Sequence, residues 1–331
     1  SYPAAVSLCL VTMICWGSWA NTMKLTGKSW FFQLYYWDYS AGVLVFSLIL
    51  AFTLGSHGTG GRPFMNDLLQ ADFKNLGYAF LSGTIFNLSN VLLVTVIDIA
   101  GMAIAFPIGV GLALVLGVIT GYIAKPVGDP TILFTGLVCI VLAIIIDGYA
   151  YSKIPSGGKK SITRGIILSV LTGVFMGFFY PLLVNSISPT LKVPEAGKLT
   201  PYTAIVFFSI GLFVSSFLWN YYLMRKPLTG PVISGKDYFT RGTRKDHAVG
   251  ILGGLIWCLG FSLMTLAADI AGPAISYGLG QGATMIAVLW GVLVWKEFRH
   301  APASINKWLV MMFILYLLGL SLIIIARQYK R

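Results

Sequence analysis

Asp38 is the residue whose type and position most directly promise chemistry. It stands in Phe31-Phe32-Gln33-Leu34-Tyr35-Tyr36-Trp37-Asp38-Tyr39, roughly two turns into an apolar run. Placing a carboxyl group inside a membrane-spanning helix costs about 2.5–3.5 kcal/mol, so such a group is a functional candidate by default. Burial disfavours the charged form of a carboxyl, which brings proton exchange within reach of ordinary pH. Asp38 can therefore carry a coupling proton, hydrogen-bond a ligand, or do both. The plainer reading is a structural Asp held by Lys24 or by nearby tyrosines.

Around Asp38 the sequence supplies rings and amides. Trp16 and Trp19 are three residues apart, share a helix face, and can form a wall on which a flat ligand or a sugar ring stacks. Trp30, Phe31, Tyr35 and Tyr36 read as a belt at the membrane interface, while Trp37 joins the candidate lining. Asn87 and Asn90 share a face of a later apolar run, and Asn21 and Asn185 lie near the ends of two others. Buried amides are costly and need partners, so gluing helices together is the alternative to ligand contact. Gln281, one turn after Tyr277, is the best amide for ligand contact. Tyr180 and Trp257 complete the expected lining.

Two aspartates introduce a repeat. Asp98-Ile99-Ala100-Gly101 through Phe106 to Gly109-Val110-Gly111 returns as Asp269-Ile270-Ala271-Gly272 through Tyr277 to Gly280-Gln281-Gly282. The copies lie about 170 residues apart, half the chain, and a repeat of that length means two similar halves. Gln281 faces Val110 in the repeat, so its amide is present in one half only. Trp257 faces Phe86, and Pro107 faces Gly278, so both helices are expected to bend at one level. Asp98 and Asp269 are candidate gates. The alternative is that each caps the following helix.

The elements that position these residues follow from composition. Of 331 residues, 57% are hydrophobic and 10% charged, against about 25% charged in soluble domains. The net charge of +12 falls in links between apolar runs, where it orients a membrane protein and does not mark a nucleic-acid surface. A helix needs about 20 apolar residues to span a bilayer. Ten such runs start near Pro3, Trp30, Leu76, Ala100, Thr131, Ile162, Pro201, Ala248, Gly272 and Lys307. The first is read as a span because it lacks the basic start of a signal peptide.

The expected fold is an all-α membrane protein of ten transmembrane helices in two inverted five-helix repeats. Residues 1–151 form the first repeat, 152–163 a central cytoplasmic link, and 164–331 the second repeat. An odd number of spans per half turns the second half upside down, the plan of many secondary transporters. Most Lys and Arg lie on the side of the central link, which places both termini outside. The four cysteines, Cys9, Cys15, Cys139 and Cys258, sit in apolar runs without metal or redox spacing. His57, His247 and His300 are assigned to links. No catalytic grouping, metal site or cofactor motif is legible. Ser156-Gly157-Gly158-Lys159-Lys160-Ser161 lacks the spacing of a phosphate loop.

Ten spans in five-plus-five repeats resemble the drug/metabolite transporter superfamily, and within it the ureide permease family. The residues that carry the likeness are Trp16-Gly17-Ser18-Trp19 and Tyr36-Trp37-Asp38-Tyr39-Ser40, similar to a Tyr-x-Asp-Tyr-Ser run in that family. The stretch from Leu54-Gly55 to Gly61-Arg62-Pro63-Phe64 is also similar, as are Tyr202-Thr203-Ala204 with Phe208-Ser209-Ile210, and Ala268-Asp269. The resemblance implies proton-linked uptake of ureides or nucleobases such as allantoin and uracil. Plant members carry a long cytosolic loop with a nucleotide-like motif; the short link here gives no place for it. The glucose/ribose and rhamnose porters are similarly built, so a monosaccharide proton symporter is the alternative substrate reading, and a multidrug exporter a further one. The expected partners are a small-molecule substrate, protons and the lipid bilayer, with no nucleic acid. The compact chain points to a bacterial inner membrane.

Overall fold

A computed structural model describes residues 1–57, 61–101, 104–154, 162–228 and 230–329, without the side chains of Asp98 and Ile162. Ten described helices are long and apolar enough to cross a membrane: α1 (Tyr2–Leu25), α2 (Phe32–His57), α3 (Phe73–Ile97), α4 (Ala105–Ala124), α5 (Pro130–Ser152), α6 (Thr163–Ser186), α7 (Pro201–Arg225), α8 (Arg244–Ala271), α9 (Pro273–Val294) and α10 (Ile305–Ala326). Only helices or closed barrels satisfy their backbone groups in hydrocarbon, which is why these runs are helical. The chain is an all-α, multi-pass membrane protein.

Local sequence sets the ends. Asp129 caps α5 by accepting from the Ile132 N–H, with Pro130 in the first turn. Thr243 and Asp246 form a reciprocal capping box at the start of α8. The helix containing α3 runs on to Ala100 and stops at Gly101 (φ 82°), and α8 stops at Gly272 (φ 88°). Both glycines hold a left-handed backbone that other residues avoid, and they occupy matching positions in the sequence repeat.

The main helix neighbours are unchanged when the first five helices are exchanged with the last five. α1 packs on α8 as α6 packs on α3; α2 packs on α8 as α7 packs on α3; α1 meets α9 as α6 meets α4. The pairs α2–α7, α4–α9 and α5–α10 map onto themselves. Glycines make two of the crossings tight. A Cβ on Gly42 or Gly254 would overlap backbone of Ile251 or Tyr39 where α2 meets α8. A Cβ on Gly211 or Gly83 would overlap backbone of Phe80 or Phe208 where α7 meets α3. This pattern is consistent with a duplicated, inverted plan.

Three helices depart from α geometry beside the central space. α1 tightens to a 3-10 helix over Trp19–Leu25. α4 opens with a π turn, Ala105–Val110, that contains Pro107. α9 breaks at Gln281–Gly282 and ends in a second π turn, Trp290–Val294. The breaks in α4 and α9 fall at nearly equivalent levels of the repeat, as expected from Pro107 and Gly278.

Candidate functional site

A cavity of about 390 Å³ opens between α1, α3, α6, α8 and α9, within the range of small-ligand sites. Its walls are mostly aromatic. Trp16 of α1 lies parallel to Trp257 of α8, with centroids 5.8 Å apart and 9° between planes. Trp257 in turn packs on Phe86 at 4.6 Å, Phe208 at 5.9 Å and Phe261 at 5.1 Å. The Trp16 indole N–H donates to the Trp257 carbonyl at 3.3 Å, and Thr12 donates to the Gly260 carbonyl at 2.8 Å, fixing α1 against α8. Trp19 also lines the space and rests on Tyr39 at 4.7 Å. Trp16 and Trp19 are three residues apart at the end of the α-helical part of α1, so both indoles face the cavity.

Few polar groups break this surface. Asn90 and Gln281 reach the cavity from α3 and α9. Asn90 donates one amide hydrogen to the Tyr36 hydroxyl at 3.1 Å. Gln281 sits at the break in α9 and is nearly buried. A carboxamide offers both donors and an acceptor, so this pair suits a neutral ligand with alternating hydrogen-bonding edges. The charged lining residues are Lys24 and Glu297, and they pair with each other at 2.5 Å at the cavity mouth. Tyr151 donates to the second Glu297 oxygen at 3.1 Å, and the Lys24 ammonium lies 4.6 Å from the Trp295 ring. Trp290 and Trp295 donate to Ser18 and Asn21, joining the end of α9 to α1.

The structure brings together Trp16, Trp19, Asn90, Trp257 and Gln281, and places the other expected lining residues elsewhere. Trp37 turns away, donating to Met224 Sδ at 3.2 Å and packing on Phe217. Asn87 is buried and engaged by the Tyr36 hydroxyl, the Leu212 carbonyl, Ser215 and Ser216, so it joins helices. Tyr277 is fully buried, donates to the Met176 carbonyl at 3.2 Å and stacks on Tyr180 at 5.3 Å. Tyr180 lines a second pocket, of about 270 Å³, with Lys125, Asn185, Lys198 and Asp269. Phe179 faces the first space while Tyr180 faces the second, so consecutive rings of α6 stand between the two.

Asp38 also lies off the cavity. It is buried, accepts from Tyr238 at 2.5 Å, and has both oxygens 3.0–3.1 Å from His247 Nδ1. Lys24 is not its partner. His247 belongs to the first turn of α8 and not to a link. Burial, then the Asp38 carboxylate, push the Tyr238 phenol above its ordinary value, so it remains a donor to Asp38. Trp30, Tyr35 and Tyr36 are buried between helices and do not form an interfacial belt.

The candidate gates sit at opposite ends of the bundle. Ile97, at the end of α3, lines the Lys24-side cavity, whereas Asp269 lines the Lys125-side pocket. The side chain of Asp98 lies outside the described residues. Asp269 does not cap α9, whose N-cap is Gly272 without a side-chain bond. Instead the Asp269 carbonyl accepts from Lys125 at 3.3 Å.

Sequence reasoning misses Asp147 and Glu297, and gives Lys24 the wrong partner. Asp147 carries the same signal as Asp38, an acid inside the apolar run of a span. Glu297 and Lys24 fall in links, and nothing local indicates that they meet.

Comparison with known proteins follows the same line. A family model described as ureide permease matches residues 154–326. Ureide permease 1 of Arabidopsis thaliana is 22% identical, with 99% of this chain and 98% of that protein covered. Ureide permease 4 of the same plant is 20% identical, covering 100% and 99%. A putative sugar uptake protein of Listeria innocua serovar 6a is 22% identical, covering 77% of this chain and 80% of its own.

Proposed function

The chain belongs to the ureide permease family, and from that membership we propose that it takes up a small, polar, neutral metabolite, a ureide or nucleobase, in symport with protons. It is a membrane transporter, not an enzyme. The observation that carries the substrate class is the cavity: stacked indoles, the amides of Asn90 and Gln281, and, among the described residues, no ionised lining side chain beyond a mutually paired Lys24 and Glu297. A planar heterocycle stacks on Trp16, Trp19 and Trp257 while Asn90 and Gln281 read its edges. A lipophilic cation would need an unpaired carboxylate, and none lines the cavity among the described residues, which disfavours a drug exporter.

On this reading residues 1–151 and 164–331 are two inverted repeats joined by a cytoplasmic link at 152–163. They rock about the cavity, with Asp98 and Asp269 at the two gates. Asp38, held by His247 and Tyr238, is the coupling group. Stacking indoles and amides also suit a monosaccharide, and the Listeria relative keeps that second substrate class in view. It and the short link favour a bacterial plasma membrane.

The test is uptake into proteoliposomes. Allantoin, uracil, ribose, glucose and rhamnose are each offered with and without an inward proton gradient. Gradient-stimulated uptake of a ureide or nucleobase supports the proposal; uptake of sugars alone selects the alternative, and no flux of any solute refutes both.

A further inference from the structure

Asp147 has no part in the transport reading above, yet among the described residues it is the one buried carboxyl with both oxygens unpartnered. It is fully buried in α5, and neither carboxylate oxygen has a hydrogen-bond partner among the described residues. The other buried aspartates are engaged. Asp38 has Tyr238 and His247, Asp67 has Arg62 and Thr200, Asp129 has the Ile132 N–H, and Asp246 has Thr243 and the Gly27 N–H. Native structures leave few buried polar groups unsatisfied, and each exception asks for a reason. An unpartnered acid inside a span is a functional candidate.

Its surroundings point to the cavity mouth. Tyr151 is one turn along the same face of α5, and its hydroxyl donates to Glu297, whose other oxygen holds Lys24. The titratable groups near enough for their charge to bear on Asp147 are the Glu297 carboxylate, the Tyr151 phenol and the Tyr316 phenol of α10. Tyr316 in turn shares a hydrogen bond of 2.5 Å with Thr284, a cavity-lining residue. The other element packed on α5 is α4 with its π turn. Its single ionisable group, Tyr122, is bonded to the Gly128 carbonyl near the far end. Among the described residues the groups around Asp147 are thus two phenols and a carboxylate, with Lys24 reaching only the far side of Glu297.

We propose that Asp147 is a proton-binding site, and that its proton decides whether the Lys24–Glu297 pair holds the cavity mouth. An ionised Asp147 would set a second negative charge beside Glu297 in apolar surroundings, where like charges repel far more strongly than in water. A proton on one Asp147 oxygen removes that repulsion, and Glu297 stays with Lys24 and Tyr151. When the proton leaves to cavity water, Glu297 is driven off and the pair opens. The backbone is built to yield there. Glu297 follows Lys296, held at φ 51°, the one non-glycine positive φ among the described residues. Just before it comes the π turn Trp290–Val294. Strained and π-wound segments mark places that have a second arrangement available.

The proposal deepens the transport reading and rests on it only in treating the Lys24 end as a mouth. The test uses the whole chain in lipid nanodiscs. Infrared difference spectra across a pH step, with isotope-labelled aspartate, report protonated aspartic acid directly. In parallel, a cysteine introduced at cavity-lining Ala20 is labelled by a water-soluble maleimide, its rate normalised to that of an exposed cysteine. The expected result is a label-sensitive acid band that persists in Asp38→Asn, disappears at alkaline pH, is absent in Asp147→Asn, and loses its label shift in Asp147→Glu. Labelling at position 20 should quicken several-fold as pH rises and lose that pH dependence in Asp147→Asn. A merely structural Asp147 would lower the melting temperature without touching the pH profile. Absence of the band in the wild type, or an unchanged labelling profile in Asp147→Asn, would overturn the proposal. If Asp147→Asn does not fold, the wild-type band and the Asp147→Glu label shift decide alone. The band and profile in a protein that moves no solute would defeat the transport reading and leave this one standing. Proton-driven uptake without either would do the reverse.

Discussion

Replacing Gln281 by Leu removes the amide that is present in only one half of the molecule, at nearly constant volume. The side chain is nearly buried against the cavity, and its backbone bonds at the α9 break remain. A neutral hydrogen bond contributes about 0.5–1.5 kcal/mol net. A carboxamide can make two such bonds to a ureide edge, so the variant is expected to lose about 1–3 kcal/mol of binding, a factor of roughly 5–150 in affinity. Titration calorimetry on purified protein measures this, with solute counterflow as the transport readout. Asn90→Leu removes the facing amide and the donor to Tyr36, and should weaken binding to a similar extent. If the two amides read different edges of one ligand, the losses add; a shared contact makes the double variant no worse than the poorer single one. Unchanged affinity in both variants would show that the solute does not lie between α3 and α9, and the proposed site would be abandoned.

Asp38→Asn is expected to abolish gradient-driven accumulation while counterflow continues. The variant should still bind solute, since Asp38 does not line the cavity and makes no ligand hydrogen bond to lose; accumulation undiminished in the variant would remove Asp38 from coupling. Arg62→Met leaves the fully buried Asp67 carboxylate without its cation at 3.0 Å, which should cost about 3–5 kcal/mol. A thermal melt reads the loss, and Asp67→Asn in the same background should restore part of it; an unchanged melting temperature would mean that the pair is not formed. Gly254→Leu forces a side chain into the Tyr39 backbone and should destabilise by about 1–3 kcal/mol or more. Because Tyr39 supports Trp19 and Trp257, it should also weaken solute binding measured by the same calorimetry.

The helices were legible because hydrocarbon imposes one solution on an apolar run, and the repeat because its paired glycines have a backbone duty. Gly101 and Gly272 share a positive φ, which conserves residue type between the halves independently of any ligand. Side-chain direction was harder to read. α2 buries tyrosines on several faces, so periodicity could not tell whether Trp37 pointed inward. Asn87 and Asn90 share a face by spacing, yet Ser215 and Ser216 of a distant helix claim the first and leave the second to the cavity. The break in α9 decides where Gln281 points, and no proline marks it. Asp147 is as visible in the sequence as Asp38. What the sequence hides is that one acid has partners and the other has none among the described residues.

The distance between Asp38 and the cavity bears on how a proton could drive the solute. His247 and Trp257 are ten residues apart on α8, about 15 Å along a helix, so the carboxyl and the solute do not compete for one set of atoms. They share two helices instead. Asp38 binds α2 to α8 through His247, and its neighbour Tyr39 contacts both Trp19 and Trp257 at the cavity wall. Gly42 and Gly254 let those helices meet backbone to backbone, so a shift of α2 on α8 passes to the indoles without a soft layer between. Protonation at Asp38 would act by loosening one end of that contact, and solute binding would act on the other end. Coupling of this kind is reciprocal: a solute that tightens the indole wall must also change proton affinity at Asp38. Proton release or uptake on solute binding, followed with a pH dye in weak buffer, is therefore expected in the wild type and absent in Asp38→Asn. A wild type that binds solute with no proton exchange at any pH between about 5 and 8, the range where histidine and perturbed carboxyls titrate, would break the link between the two sites.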